Sequence, residues 1–184
     1  HEKNIVMQKR DFSCGAAALA TLIRYYWGDD ATELQFLKAL DTILTPEEIP
    51  DRIKNGLALT DLKKAAEKAG YNASIGRLSF AELSEAKVPL VVGITVDDYD
   101  HFVVYRGTDG CYVYMADPIR GNIREPADVF QCQWQKNAVL VVAKPGEKVR
   151  EWSPLSVTQS EVCVGWTNRE VSRNHAATWP LQLP

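Results

Sequence analysis

The sequence predicts an α+β domain with a helical N-terminal half and an antiparallel sheet in its C-terminal half. Up to about residue 70, apolar residues recur at helical spacing and successive stretches end on glycine. Beyond that point, short runs rich in β-branched and aromatic residues alternate with tight turns. A length of 184 residues, 46% of them hydrophobic, with a net charge of -3, suits one domain plus an appended segment.

Taking the elements in order, a first helix begins near Cys14, with Leu19, Leu22, Ile23 and Tyr26 on one face and Gly28 as its stop. A second helix is predicted over 32–40, a shorter one follows Thr45-Pro46-Glu47-Glu48, and another runs from Thr60-Asp61 to Gly70. Residues 71–78 read as a strand, and "SFAELSEAK" as a short helix with Ser79 as its cap and Glu82 three residues on. Four further strands are expected in "PLVVGITV", "HFVVYRG", "CYVYMAD" and "AVLVVAKP". After Pro145-Gly146 the pattern dissolves. Residues 147–184, with Trp152, Trp166 and Trp179 among many polar residues, are expected to extend beyond the core of a 1–146 domain.

Composition narrows the function classes. The basic residues are scattered, with no stripe suited to nucleic acid. The longest apolar runs, 88–96 and 138–143, are strand-sized and far below the ~20 residues of a membrane helix. No signal peptide is present, and a chain that begins at His1 is compatible with a trimmed or mature form. Cys14, Cys111, Cys132 and Cys163 form no C-x-x-C pair, and with three histidines they argue against a zinc site. If Cys14 is a working thiol, at most one disulfide can form among the others.

The stretch "QKRDFSCGAAALATLIRYYWG" places Cys14-Gly15 at the start of the first helix. With Ser13 as N-cap, Cys14 falls in the first turn, where unpaired N–H groups and the helix dipole favour a thiolate. Gly15 and Ala16 would leave room for a substrate backbone, which makes Gly15 a candidate substrate contact. Otherwise Cys14 is a small core residue in an alanine-rich helix.

A thiolate nucleophile needs a proton carrier. His1 is terminal and His175 lies in the irregular tail, whereas His101 opens the strand "HFVVYRG" after the acidic turn Asp97-Asp98-Tyr99-Asp100. Between this strand and the next lie Thr108-Asp109-Gly110, a length that suits a type I turn closed by a left-handed glycine. Pairing Gly107 with Cys111 then puts His101 opposite Asp117, within reach of an imidazole–carboxylate hydrogen bond. A one-residue slip would move the partner to the other face. The alternative for Asp117 is a turn residue that ends its strand at Asp117-Pro118.

With these residues in view, the chain resembles the C39 peptidase family over roughly residues 5–146. The resemblance is carried by Gln8, "DFSCGAAALATLI", "DHFVVYRG", "YMADPIRG" and "FQCQWQKNAVLVVAKPG", in order and with familiar spacing. It implies a papain-like cysteine protease fold in which Cys14 is the nucleophile, His101 the general base and acid, and Asp117 the residue that orients the imidazole. It also implies that Gln8, six residues before Cys14, helps to form the oxyanion hole; read alone, Gln8 is an ordinary polar residue before a helix. Asp11 matches a variable position and receives no role.

The family includes bacteriocin-processing domains that cut leader peptides after a double glycine. The resemblance therefore implies an endopeptidase that acts on a polypeptide substrate, an exported protein, after small residues such as Gly-Gly. No Walker motif and no membrane span occur in this chain, which suits the free-standing members of the family. Those members accompany secretion systems, including export of functional amyloid, and imply a periplasmic setting and a secretion-system partner. No metal or organic cofactor is implied. Two alternatives stand beside hydrolysis: a peptide-docking module that does little or no chemistry, and acyl transfer by the same triad. In an oxidising compartment Cys111 and Cys132 could form a disulfide; otherwise they are packed thiols.

Overall fold

The computed structural model describes residues 1–10 and 12–163. Asp11, Trp166, His175 and Trp179 lie outside the described residues. The helices are α1 (Cys14–Leu22), continuing into a π-helical turn (Ile23–Trp27), then α2 (Glu33–Ile43), α3 (Glu48–Asn55), α4 (Leu59–Lys68), α5 (Phe80–Ser84) and α6 (Ala127–Gln133). The strands are β1 (Asn72–Arg77), β2 (Leu90–Val96), β3 (Tyr99–Thr108), β4 (Tyr112–Asp117), β5 (Gly121–Pro126) and β6 (Trp134–Ala143). They form one sheet in the order β1-β6-β2-β3-β4-β5, and every adjacent pair is antiparallel. The expected α+β architecture, helices first and antiparallel sheet second, is what the chain adopts.

Both faces of the sheet are covered. On one face Val91, Val104, Ala116 and Leu140 pack with α1 and α4, including Leu19, Leu22, Leu62 and Ala65. On the other, Val103, Tyr105, Val113 and Met115 pack with Leu83 of α5 and Phe130 of α6. Neighbours such as Val103 and Val104 fall in opposite clusters because successive strand side chains point to opposite faces. Every residue of α1 is buried. Its alanines allow the helix backbone to lie close to the sheet, so the element that carries Cys14 sits at the centre of the domain rather than on a surface.

Beyond Leu22 the first helix widens into its π-helical turn and stops at Gly28, whose φ of 81° suits a residue without Cβ. The β2–β3 hairpin turns on Asp97 and Asp98 alone, both left-handed, with φ of 50° and 62°; this geometry is costly for most residues but tolerated by aspartate. β5 has no counterpart in the sequence-based expectation, because "GNIREP" at the sheet edge lacks the apolar alternation that marks a half-buried strand.

The expectation that the chain leaves the core after residue 146 is corrected for its first part. Leu155 is buried in the main core, and Ser153 beside it is also buried. Arg150 donates from its backbone N–H to Tyr26 Oη (3.0 Å) and from Nη2 to the Trp27 carbonyl (2.7 Å), closing the end of the π-helical turn. Arg106 of β3, its side chain almost fully buried, donates to the Leu155 carbonyl (2.8 Å), the Ser156 carbonyl (3.2 Å) and both carboxylate oxygens of Glu161 (2.8 and 3.1 Å). Residues 147–163 are therefore a strap held by a few single anchors without periodicity, and for that reason a pattern search passes over them. Trp152, in contrast, is 69% exposed.

Replacing Arg106 by Ala strands two carbonyls and the Glu161 carboxylate. We expect a loss of about 2–4 kcal/mol, read as a lower urea midpoint, together with faster proteolytic nicking within 147–163. Glu161→Gln, which keeps an acceptor at a part-exposed position, should lose less in both measurements.

Candidate active site

Cys14 and His101 are both buried, with exposures of 6% and 5%, and Asp117 is fully buried. His101 Nε2 and Asp117 Oδ1 are 2.8 Å apart. The pairing register that produces this differs from the expected one. Val104 faces Ala116 and Tyr105 faces Met115, but Gly107 faces Tyr114 and Thr108 faces Val113, with a bulge between Tyr105 and Gly107. The connecting loop is also longer than the turn expected from the sequence. Asp109 Oδ1 accepts the N–H groups of Cys111 (2.8 Å) and Tyr112 (2.7 Å), which fixes a loop over 109–112. Loop and bulge together displace the register by two residues, an even number. His101 and Asp117 thus stay on one face as diagonal rather than directly opposed neighbours, still within reach of an imidazole.

Asp117 is held on every side. Its Oδ1 also accepts the N–H groups of Ile119 (2.7 Å) and Arg120 (3.1 Å), and its Oδ2 accepts Arg120 Nε (2.7 Å). Burial alone would raise the pKa of this carboxyl, but the hydrogen bond and charge of His101, with the two backbone N–H groups, hold it well below the usual carboxylate range. For His101, burial pulls the pKa down, while Asp117 and then Cys14 outweigh it and lift the imidazole to about 9. The sign follows: the folded value lies above 6.5, so the charged imidazole stabilises the fold fully below that pH, and its contribution is lost as pH rises through about 9. Arg120, half exposed beside the Asp117 carboxylate, is a site residue that the sequence reading missed; its place in "ADPIRG", three residues after Asp117, was the available signal.

With Nε2 engaged by Asp117, the nitrogen turned toward Cys14 is Nδ1. Nδ1 is buried and makes no hydrogen bond of ordinary geometry, yet the Cys14 side chain lies close enough to raise the imidazole's basicity. Such loose pairing is common in free sites that tighten around substrate. Gln8 is tied to the end of β4: its backbone N–H donates to the Pro118 carbonyl (2.9 Å), directly after Asp117. Its side-chain Nε2 donates to the Arg10 carbonyl (3.1 Å), and its Oε1 is buried without a partner. The fold thus brings Cys14, His101 and Asp117 together from α1, β3 and β4, and ties the backbone of Gln8 in the N-terminal segment to the residue after Asp117.

Two expectations about the corner change. Ser13 precedes α1 but makes no side-chain cap; its hydroxyl lies between the Arg10 carbonyl (2.8 Å) and the Glu33 carboxylate. Gly15 is not open to a substrate. A Cβ there would meet Leu62 at 2.9 Å and Phe102 at 3.2 Å, so its smallness serves the packing of α1 against α4 and β3. Cys14 is buried, and Cys111 and Cys132 are exposed free thiols, so these two are neither disulfide-bonded nor packed. Among the described residues no group of three or more His, Cys, Asp or Glu side chains is placed to hold a metal ion. No helix among them is long and apolar enough to cross a membrane.

Cys14 opens onto a cleft of about 670 Å³ between the end of α3 and the β2–β3 turn, lined by Phe12, Ile53, Gly56, Asp98 and Tyr99 among others. Residues 2–146 match the model of the peptidase C39 family. The chain belongs to that family. It is 34% identical over 152 residues to a probable functional amyloid protease, FapD, of Pseudomonas aeruginosa, covering 83% of this chain and 65% of the relative. The chain thus spans just under two-thirds of the length of that relative. A 28% match over 146 residues covers 78% of this chain and 19% of the lactococcin-G-processing and transport ATP-binding protein LagD of Lactococcus lactis subsp. lactis. Among solved structures, the peptidase domain of Streptococcus ComA, a bifunctional ABC transporter, shares the fold with a TM-score of 0.64 at 18% identity, covering 78% of this chain and 99% of that one. A double-glycine motif protease from an AMS/PCAT transporter, solved with its leader peptide, follows at 0.55 and 22%, covering 78% and 95%. The α+β, papain-like architecture is therefore that of the C39 peptidase domains.

Asp117→Asn removes the charge that offsets burial at His101. The imidazole pKa should fall clearly below about 9, read by NMR titration of the ring Cε1 proton. A value that stays near 9 would mean that Asp117 does not set the basicity of His101.

Proposed function

We propose that this C39 family member is a cysteine endopeptidase. The observation that carries the reading is the division of labour on His101: one ring nitrogen bound to a buried carboxylate, the other left for the Cys14 side chain at the first turn of α1. The roles follow from that geometry. The thiolate of Cys14 attacks the scissile carbonyl. The Gln8 amide and the Cys14 backbone N–H donate to the developing oxyanion. Protonated His101, steadied by Asp117, delivers its proton to the leaving amine, and water then releases the acyl group. No residue outside this set is needed to balance the proton.

The substrate we propose is an exported polypeptide cut after small residues such as Gly-Gly, handled together with a bacterial secretion system in the periplasm. Support for the class comes from the relatives, whose names join a protease to functional amyloid and a processing domain to a transporter.

Cys14→Ala should abolish cleavage of a fluorogenic peptide with an internal Gly-Gly while leaving the circular dichroism spectrum intact; retained turnover would end the proposal. In the wild type, kcat/KM should fall as pH rises through about 9, because His101 there loses the proton owed to the leaving amine. A profile still climbing beyond pH 10 would assign the general acid elsewhere.

A further inference from the structure

Glu33 is a buried carboxyl that the reaction above does not use; it is 6% exposed in the first turn of α2. Its Oε1 accepts the backbone N–H of Lys9 at 2.9 Å, one residue after Gln8, and the hydroxyl of Ser13, one residue before Cys14. A single oxygen thus ties the residue after Gln8 to the residue before Cys14.

Proton counting strengthens the link. Ser13 has one hydroxyl proton and two acceptors within reach, Glu33 and the Arg10 carbonyl. The Arg10 carbonyl has two lone pairs and already receives Gln8 Nε2 (3.1 Å) and the Ser13 N–H (3.2 Å). The Ser13 proton therefore goes to Glu33, and the Arg10 carbonyl is left to hold one of the two amide protons of Gln8. The second amide proton remains for another acceptor.

We propose that Glu33 is a positioning residue: it holds Lys9 and Ser13, the neighbours of Gln8 and Cys14, so that the Gln8 amide keeps the distance and direction from Cys14 that an oxyanion between them requires. This rests on the peptidase reading above. Glu33 reaches no reacting atom, and its effect passes through Lys9, Ser13 and Arg10. A displacement of about 1 Å in such a group costs on the order of 100-fold in rate, so a brace on both of these neighbours matters to catalysis as well as to stability.

The test uses the full chain and acetyl-Gly-Gly-aldehyde, whose adduct with a thiolate carries an oxyanion. Affinity is read from its protection of Cys14 against iodoacetamide, and the alkylation rate itself reports thiol reactivity without an oxyanion. Glu33→Ala should weaken aldehyde binding roughly 10- to 100-fold while changing the alkylation rate less than about threefold. Glu33→Gln keeps an oxygen acceptor for Lys9 and Ser13 and should bind as wild type does. In a Gln8→Ala background Glu33→Ala should add almost nothing, because the amide being positioned is already gone. Ser13→Ala cuts the same brace from its other end and serves if Glu33→Ala does not fold; its aldehyde affinity should fall without loss of alkylation. Unchanged aldehyde affinity in folded Glu33→Ala or Ser13→Ala, or a loss that persists in full without Gln8, overturns the inference. A wild type that forms no aldehyde adduct overturns the peptidase reading and this inference together. An adduct that forms in the wild type and is indifferent to Glu33 overturns this inference alone.

Discussion

An imidazole and a carboxylate sealed almost completely from water are tolerable only in each other's company, and the rest of this structure is arranged around that pairing. Each charge alone would pay a desolvation penalty of several kcal/mol. Together, and with two backbone N–H groups and Arg120 on the carboxylate, they form a fixed acid–base unit where β3 begins and β4 ends. The β3–β4 ladder carries a bulge, and Asp109 closes the loop after Thr108. Both features set how far along β4 the ring at position 101 can reach.

The nucleophile's side of the site follows the opposite logic. α1 is an apolar helix with no charged residue, buried along its whole length, and Gly15 lets it approach Leu62 and Phe102. Its position is fixed by close packing, which admits little adjustment. Polar control is left to the preceding segment, where Gln8, Arg10, Ser13 and Glu33 exchange hydrogen bonds while Gln8 reaches across to Pro118. The site is thus a junction of a dry helix, a polar loop and the end of a sheet, each constrained by a different kind of force.

The strap over 147–163 adds a constraint of its own. Arg106 belongs to the same strand as His101, and its guanidinium spends its donors on the strap and on Asn122. Leu155 completes a core otherwise shared by the helices and the sheet. The chain beyond the family-matched residues 2–146 is therefore, as far as residue 163, part of the same packed body.

What the sequence determined by itself was everything that depends on local periodicity and short-range chemistry. The helical first half, five of the strands, the cysteine at a helix start and the choice of His101 among three histidines are all written in neighbouring residues. Asp117 was legible as well, although by a register two residues from the real one; the side-chain period of two preserved the partner when the alignment moved. Gln8 was visible through the family resemblance alone, since nothing local distinguishes it. The tertiary structure decided what depends on residues distant in the chain. It gave Gly15 to packing and turned Ser13 from a cap to the Glu33 carboxyl, and it docked 147–163 through isolated anchors. Each of those outcomes is a contact between residues from different elements, and a single chain read in order carries no periodic signal of such contacts.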